Sequence, residues 1–162
     1  MKKRTAGFAL IEVLVAFLVL GIGMLGIAKV LLASHKSSTS NYFQIQAAQL
    51  AENMIADIRQ NNSGTYNYNL ASGATLAPPS SSCISSSCNS DSLAAYDLWQ
   101  WATALQAALP NVSATVSTTA QDADGNNIVS VTITWSDSSA QQIFSTSNQV
   151  TNNSTITLVT LL

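Results

Sequence analysis

The sequence predicts an α+β fold, in which a long N-terminal helix packs on a C-terminal antiparallel sheet and a short second helix lies between them in the chain. Three patterns predict this fold. Residues 8–28 form an apolar run, apolar residues then recur at helical spacing as far as residue 58, and the last third of the chain alternates between apolar and polar residues. A period of about 3.6 residues is typical of an amphipathic helix, and a period of two is typical of a half-buried strand.

The apolar run over residues 8–28 is the first element. Residues 2–4 are basic, and Glu12 is the one charged residue within the run. About 20 apolar residues suffice for a helix to cross the hydrocarbon layer of a membrane. Because basic residues favour the cytoplasmic side of such a helix, the N-terminus is predicted to lie in the cytoplasm and the rest of the chain outside it.

Two other interpretations of this run are less favoured. A cleaved secretory signal has an apolar core of about 7–15 residues, followed by a cleavage site with small residues. Here the run is longer, and the small residues Ala6 and Gly7 precede it. A plain anchor helix would leave Glu12 without a role, although a charged side chain at mid-bilayer costs about 2.5–3.5 kcal/mol on insertion scales. Glu12 is therefore a candidate functional residue that needs a partner.

The same helix is predicted to continue to about Gln60 with one apolar face. The residues of this face recur three or four positions apart: Phe43, Ala47, Leu50, Ala51, Met54, Ile55 and Ile58. Polar residues fill the other positions, so this half is amphipathic and is expected to cover the protein's own core. The sequence Asn61-Asn62-Ser63-Gly64 then gives a stop signal.

Residues 61–90 are interpreted as a loop, and a second helix is predicted over residues 91–109. Glycine, proline and serine are frequent in the loop, as is typical of turns. Ser90-Asp91 is the predicted N-cap, and Pro110 ends the helix. Along the helix, the apolar residues line up at helical spacing: Leu98, Trp101, Leu105 and Leu109.

Cys83 and Cys88 are predicted to form a disulfide, because this part of the chain is expected outside the cytoplasm. Closing so short a loop contributes on the order of 2 kcal/mol in the chain-entropy model. A metal site is less favoured because it needs further ligands and the single histidine, His35, is distant in the sequence. A redox dithiol is less favoured because the spacing is not Cys-x-x-Cys.

The remainder is predicted to form strands. Val112, Ala114 and Val116 alternate with polar residues, and residues 129–135 repeat this pattern. Residues 142–146 and 155–160 are predicted as further strands. Trp101 and Trp135 lie on apolar faces, so we expect them in the core rather than on a ligand.

Residues 122–126 are interpreted as a hairpin turn rather than a calcium loop. Asp122, Asp124 and Asn126 resemble the start of such a loop. However, Gly125 stands at the fourth position rather than the sixth, and Ile133 stands where the bidentate glutamate is required. We therefore expect no metal site here.

The charge balance argues against a nucleic-acid partner. The chain has 6 basic and 8 acidic side chains. Without residues 2–4, 3 basic side chains remain against 8 acidic ones, a net charge of −5. No Lys or Arg follows residue 60, so the C-terminal part is poorly suited to bind phosphates.

The residue types needed for catalysis do not occur in a suitable pattern. A Ser-His-Asp or Cys-His arrangement would require His35, which lies beside Lys36 in the predicted long helix. Glycine-rich phosphate loops are missing from the sequence as well. We therefore expect a protein without enzymatic activity and without a cofactor.

The sequence from Gly7 to Ala16, Gly-Phe-Ala-Leu-Ile-Glu-Val-Leu-Val-Ala, resembles the class III signal of type IV pilins and type II secretion pseudopilins. The basic leader, the glycine, the phenylalanine and an acid five residues into the mature chain occur together. The resemblance implies that a prepilin peptidase cleaves after Gly7 and methylates the new N-terminal Phe8. Ala9-Leu10 departs slightly from the commoner Thr-Leu or Ser-Leu.

This resemblance implies a type IV pilin fold with four parts. Residues 1–7 are the leader, residues 8–30 the transmembrane half of the helix, residues 31–60 its amphipathic half, and residues 61–162 an extracytoplasmic head. In the family the apolar helix anchors the subunit and later forms the filament core. Glu12 would then pair with the Phe8 amine of a neighbouring subunit and set the axial register, a use of buried polar groups that has precedent.

Two glycines and one substitution in the anchor bear on the type of pilin. In pilins, the stretch around the glycine that matches Gly21, here with Gly23, can lose helicity in the filament. Many major pilins have a proline eight residues after that glycine, and Lys29 stands there in this sequence. This difference favours a minor pilin over a bulk subunit.

The C-terminal part is similar to PilV-type minor pilins, also called type IV pilus modification proteins. The similarity rests on a series of short matches along the chain: Leu50-Ala51, Arg59-Gln60-Asn61, the cysteine pair, Asp97-Leu98 with Trp101 and Leu105, Leu109-Pro110 and residues 131–137. It implies a minor pilin that assembles with other minor pilins, primes the type IV pilus and caps its tip.

The implied partners are the prepilin peptidase, other minor pilins, the major pilin and a tip adhesin. The implied location is the inner membrane, with the head in the periplasm, and then the pilus on the cell surface. The alternatives are a minor pseudopilin of a type II secretion system and, in another class, a pilin whose head binds DNA or another ligand.

Overall fold

The structure, a computed structural model, describes residues 10–80, 83–84, 87–119, 127–137 and 153–162. The chain divides into two compact units, Met1–Ser38 and Thr39–Leu162. Within the described residues, the first unit consists of helix alone, whereas the second has a hydrophobic core.

Helix α1 (Leu10–Gln60) is the long helix that the sequence predicts. The predicted start at residue 8 lies outside the described residues. The helix ends at the predicted stop signal, where the backbone N–H of Gly64 donates to the carbonyl of Asn61 at 3.0 Å. Its buried residues are five of those predicted from the helical spacing: Ala47, Ala51, Met54, Ile55 and Ile58. Phe43 and Leu50 are half-buried against the same core, which confirms the amphipathic face.

Helix α2 (Ser90–Ala108) differs from the prediction by one residue at each end. The predicted N-cap, Ser90-Asp91, is wrong: Asn89 is the N-cap, and its side-chain oxygen accepts a hydrogen bond from the N–H of Ser92 at 2.8 Å. Asn89 has the extended backbone (φ −75°, ψ 169°) that lets its side chain reach this otherwise unpaired donor. Asp91 instead lies in the first turn, where its negative charge is favourable.

Four antiparallel strands form one sheet in the order β1-β2-β3-β4. Their bounds are Tyr68–Leu70, Ser113–Thr119, Ile128–Ser136 and Asn153–Leu161. The last three agree with the predicted strands to within a few residues. The strand predicted at residues 142–146 and the turn predicted at residues 122–126 lie outside the described residues.

Strand β1 corrects the interpretation of residues 61–90 as a loop. Tyr68, Asn69 and Leu70 pair with Val116, Thr115 and Ala114 of β2, respectively. The segment from Tyr66 to Leu70 alternates between apolar and polar residues, a period that is typical of a strand. This signal was missed because the strand is short and is followed by glycine and proline residues.

The two faces of the sheet have different chemistry. The inner face is apolar, and the residues that β3 contributes to it are fully or almost fully buried: Val129, Val131, Ile133 and Trp135. The outer face carries hydroxyl groups that are hydrogen-bonded across neighbouring strands, as in the pairs Thr132–Thr157 at 3.1 Å and Thr134–Thr155 at 3.0 Å. Burial of each aliphatic side chain contributes roughly 1.5–3 kcal/mol, so the inner face holds the sheet on the helices.

Candidate assembly site

The first part of α1 exposes an apolar surface on every side. All residues from Leu10 to Leu32 are exposed, and the large apolar ones among them are 45–80% accessible. Within the described residues, α1 is the one helix that is long and apolar enough to cross a membrane. Apolar surface of this extent is normally covered by lipid or by another protein. This part of the helix is therefore built for an environment other than water.

Glu12 is the acidic group of this apolar surface, which also carries Lys29 near its end. It lies in the first turn of α1 and lines a groove of about 370 Å³ together with Val13, Ala16, Phe17 and Leu20. The spacing of these residues places them on one side of the helix. A carboxylate in such surroundings is stabilised by a cationic partner. The predicted cleavage and methylation site, Gly7 and Phe8, lies outside the described residues.

The glycines of the apolar part of α1 have open space around them in the part of the chain that the structure describes. A Cβ atom added at Gly21, Gly23 or Gly26 would meet no heavy atom within 4 Å beyond its chain neighbours and the nearby backbone of its own helix. Each glycine weakens helix propensity by about 1 kcal/mol relative to alanine. Their place in the helix therefore calls for an explanation outside the isolated subunit.

A hydrogen bond from a tryptophan side chain links α2 to α1. Trp101 is 4% exposed, and its indole N–H donates to the backbone carbonyl of Leu50 at 2.8 Å. As the sequence predicts, Trp101 and Trp135 lie in the core. Trp99 is half-exposed instead, and within the described part of the chain its buried Nε1 has no hydrogen-bond partner.

A second set of polar contacts links the end of α1 to the start of α2. The side-chain N–H of Asn61 donates to the carbonyl of Ser90 at 2.7 Å and to the hydroxyl of Tyr66 at 3.2 Å. The hydroxyl of Tyr66 in turn donates to Asp97 at 2.8 Å. Gly64 packs so closely here that an added Cβ would lie 2.8 Å from the carbonyl oxygen of Ser90. The turn after α1 is thereby held against the start of α2.

Two carboxyl groups lie on either side of the cleft between α1 and α2. Asp57 and Asp97 both line this cleft, which has a volume of about 320 Å³. Burial raises the pKa of Asp57, and the negative charge of Asp97 raises it further. Burial and the hydrogen bond to Asp97 also raise the pKa of Tyr66. Within the described residues, no group of three or more His, Cys, Asp or Glu side chains could hold a metal ion.

Cys83 and Cys88 form the predicted disulfide. This bond leaves neither sulfur as a thiol for metal binding or catalysis. His35 is exposed on α1, in the unit that precedes the head.

A pocket in the head was not predicted from the sequence. It has a volume of about 450 Å³ and lies between the first turns of α2 and the segment around β1. Its lining includes Thr65, Asn67, Tyr68, Asp91 and Trp99. The alternation of residues 66–70 is a sequence signal that could have placed Asn67 and Tyr68 in or beside a strand. Their proximity to α2, however, depends on the tertiary fold.

Comparison with protein families identifies two matching stretches. The family described as type IV pilin Tt1218 matches residues 32–99. The prokaryotic N-terminal methylation motif matches residues 2–28. Neither the curated proteins nor the solved structures include a significant match.

The matches fall on the features described above. The methylation motif covers the exposed apolar part of α1, and the pilin family covers the amphipathic part, the turn after it, β1 and half of α2. The motif implies processing by a prepilin peptidase and assembly with other pilins in a surface pilus. Type IV pilins are structural proteins rather than enzymes. With its long apolar helix and a head built on an antiparallel sheet, this chain belongs to the type IV pilin superfamily.

Proposed function

We propose that this pilin is a minor subunit that joins other minor pilins, primes assembly of the type IV pilus and caps its tip. The observation that carries the proposal is the apolar part of α1, which is exposed on every side and has Glu12 in its first turn, in a chain that matches the methylation motif. Lys29, in place of the proline of many major pilins, favours a minor subunit. The similarity of the head to PilV-type minor pilins supports the same assignment.

The proposed division of the chain follows from the leader and the helix. Residues 1–7 are removed, residues 8–30 span the inner membrane, and residues 31–60 connect to the head of residues 61–162, which lies in the periplasm before assembly. The first fully buried residue of α1 is Ala47, and the compact second unit begins at Thr39. The second half of α1 and the described part of the head therefore belong to one compact unit.

Glu12 is proposed to direct assembly. Cleavage after Gly7 would free the amine of Phe8, which is positively charged at neutral pH. In an apolar bundle of helices, Glu12 of one subunit would pair with the Phe8 amine of the next, because burying either charge is costly without a partner of opposite sign. The pair would fix the axial register of neighbouring subunits.

The anchor glycines are proposed to act in the filament. A Cβ atom added at Gly21 or Gly23 would meet no atom of another described segment within 4 Å. Glycines allow helices to approach closely in a membrane, and they lower the cost of a local loss of helicity. Either effect would adapt the helix to its neighbours in the assembled pilus.

The proposed partners are the prepilin peptidase, other minor pilins, the major pilin and a tip adhesin. A minor pseudopilin of a type II secretion system is the alternative within the superfamily. Deletion of the gene separates the two: loss of surface pili and twitching supports the pilus role, and loss of exoprotein secretion supports the pseudopilin role. A DNA-binding head is disfavoured because no Lys or Arg follows residue 60.

The proposal is tested by mass spectrometry of the mature N-terminus together with recovery of the chain in sheared pili. We expect a methylated Phe8, and we expect Glu12→Ala to insert into the membrane but not to enter pili. Glu52→Ala is the matched control, because Glu52 is an exposed acid farther along the same helix. Normal entry of the Glu12→Ala variant into pili, or an N-terminus elsewhere, would overturn the proposal.

A further inference from the structure

We propose that the head pocket between α2 and the segment around β1 binds a neutral saccharide. The pocket has a volume of about 450 Å³, within the range of roughly 300–1,000 Å³ that small-molecule sites occupy. All its lining residues lie in the head, between Thr65 and Trp99. The inference is independent of the proposed role in pilus assembly, because the pocket shares no residue with the apolar surface of α1.

The charges of the residues that line the pocket argue against an anionic ligand. No Lys or Arg follows residue 60, so no cation lines the pocket to pair with a phosphate, a sulfate or a carboxylate. Among the described residues of the lining, Asp91 is the one that carries a charge. One of its oxygens, Oδ1, already accepts a hydrogen bond from the backbone N–H of Thr65 at 3.1 Å. A ligand without net charge suits such a pocket best, since it brings no unpaired charge out of water.

The lining combines aromatic rings with small polar groups. The aromatic residues Tyr68 and Trp99 line the pocket together with residues that carry hydroxyl or amide groups, among them Thr65, Asn67 and Thr75. A sugar ring has the matching chemistry, because its C–H groups form an apolar face and its hydroxyls form a polar rim. Aromatic side chains offer an apolar surface of this size, and the hydroxyl and amide groups can bond the rim in either direction.

Trp99 would contribute its ring rather than its N–H group. The Nε1 atom is buried in the protein and has no hydrogen-bond partner within the described part of the chain, whereas the residue as a whole is half-exposed. Its ring contacts that of Tyr96, with the centroids 5.8 Å apart. The indole is thereby held in place from one side, and its exposed part is left to stack against a ligand.

The walls of the pocket are held before any ligand binds. Asn67 accepts a hydrogen bond from the backbone N–H of Thr118 at 2.9 Å, which fixes one wall to β2. The Thr65–Asp91 hydrogen bond fixes the same segment to the first turn of α2. Leu98, at the base of the pocket, is 5% exposed and belongs to the core. A preformed site loses less conformational entropy on binding.

The test uses the full-length chain in an amine-oxide detergent, which contains no sugar. Saturation-transfer NMR with lactose, maltose and N,N′-diacetylchitobiose reports on protons of the ligand, so it does not depend on Trp99 as a reporter. N-acetylneuraminic acid and choline serve as an anionic and a cationic probe. We expect saturable binding of at least one neutral sugar and none of the charged probes. Binding of the charged probes alone, or of no probe, overturns the proposal.

Two variants locate the site. Trp99→Leu removes the stacking ring and should weaken binding at least tenfold, and Thr75→Trp should abolish binding by filling the mouth of the pocket. Thr75 is exposed, so its replacement leaves the core unchanged and keeps the test valid even where Trp99→Leu does not fold. The matched control is Tyr42→Leu, because Tyr42 is an aromatic residue that is 56% exposed but lies outside the pocket. Unchanged binding by the Thr75→Trp variant would contradict the assignment.

Discussion

The hydroxyl of Ser40 donates a hydrogen bond to Oδ2 of Asp137 at 2.5 Å, across 97 positions of sequence. Asp137 follows strand β3 directly and is fully buried, and Ser40 is half-buried on α1. A buried carboxyl group is tolerated where hydrogen-bond donors meet it. This contact joins the start of the packed part of the helix to the end of the central strand.

Loss of the Ser40 hydroxyl should destabilise the head. Ser40→Ala removes one donor from the buried carboxyl group of Asp137, which should lower the free energy of unfolding by about 1–3 kcal/mol. Urea unfolding followed by tryptophan fluorescence measures the change. Ser38→Ala is the control, because Ser38 is exposed on the same helix, and it should have little effect. Equal stability of the two variants would show that the contact contributes nothing.

The indole of Trp101 should stabilise the docking of α2 on α1. Trp101→Phe removes the hydrogen bond to Leu50 and leaves a small void in the core, so we expect a loss of about 1–3 kcal/mol in the free energy of unfolding. Trp99→Phe is the matched control, since its Nε1 has no partner within the described residues. It should cost clearly less in the same urea titration. A larger loss for the Trp99 variant would contradict this assignment.

Gly64 should not tolerate a side chain. In Gly64→Ala, the new Cβ would lie 2.5 Å from Nδ2 of Asn61 and 2.8 Å from the carbonyl oxygen of Ser90. The backbone of α2 must then shift, which should cost about 1–3 kcal/mol. Thermal unfolding of the full chain measures the loss. Gly26→Ala is the control and should leave the melting of the head unchanged, because its Cβ would meet no atom of another described segment within 4 Å.

Asp57 should make the head less stable as the pH rises. Burial raises the pKa of this carboxyl group above its ordinary value, and the charge of Asp97 adds to the rise. The folded protein therefore holds a proton at pH values where the unfolded chain has released it. The resulting stability is fully present below the unfolded pKa, about 3.9, and is lost as the pH rises through the folded pKa.

The variant Asp57→Asn removes this titration. We expect it to be more stable than the wild type above the folded pKa of Asp57 and to show a weaker fall in stability between acidic and neutral pH. Urea unfolding across that range measures both effects. Glu52→Gln controls for the loss of one negative charge from an exposed position of the same helix. An unchanged pH dependence in Asp57→Asn would contradict the prediction.

Elements with a strong period were predictable from the sequence. The apolar face of α1 from Ala47 to Ile58 and the alternation of β3 each specify one buried side, because the periods of helix and strand are fixed by backbone geometry. The alternation even extends to Asp137, which continues the inward-facing positions of β3. The short strand β1 was missed because three residues give too few repeats of the pattern.

Helix caps and hydrogen-bond partners were less predictable from the sequence than the buried faces of helices and strands. Asn89, Ser90 and Asp91 are all suitable N-caps by residue type, and the choice depends on which backbone is extended at the helix start. In the same way, the residue pattern placed Trp101 in the core but did not identify Leu50 as the acceptor of its N–H group. Which groups become hydrogen-bond partners depends on how the two helices cross.

By itself, the sequence determined the apolar helix with its single acid, the leader pattern and the family. These properties depend on residues that are neighbours in the chain and on the cost of exposing apolar surface to water. Only the tertiary structure decided the contacts between distant residues, such as Ser40 with Asp137, and the pocket that Tyr68 and Trp99 share. The physical reason is that a hydrogen bond or a pocket requires specific atoms within a few ångströms, and the packing of helices and sheet alone brings them there.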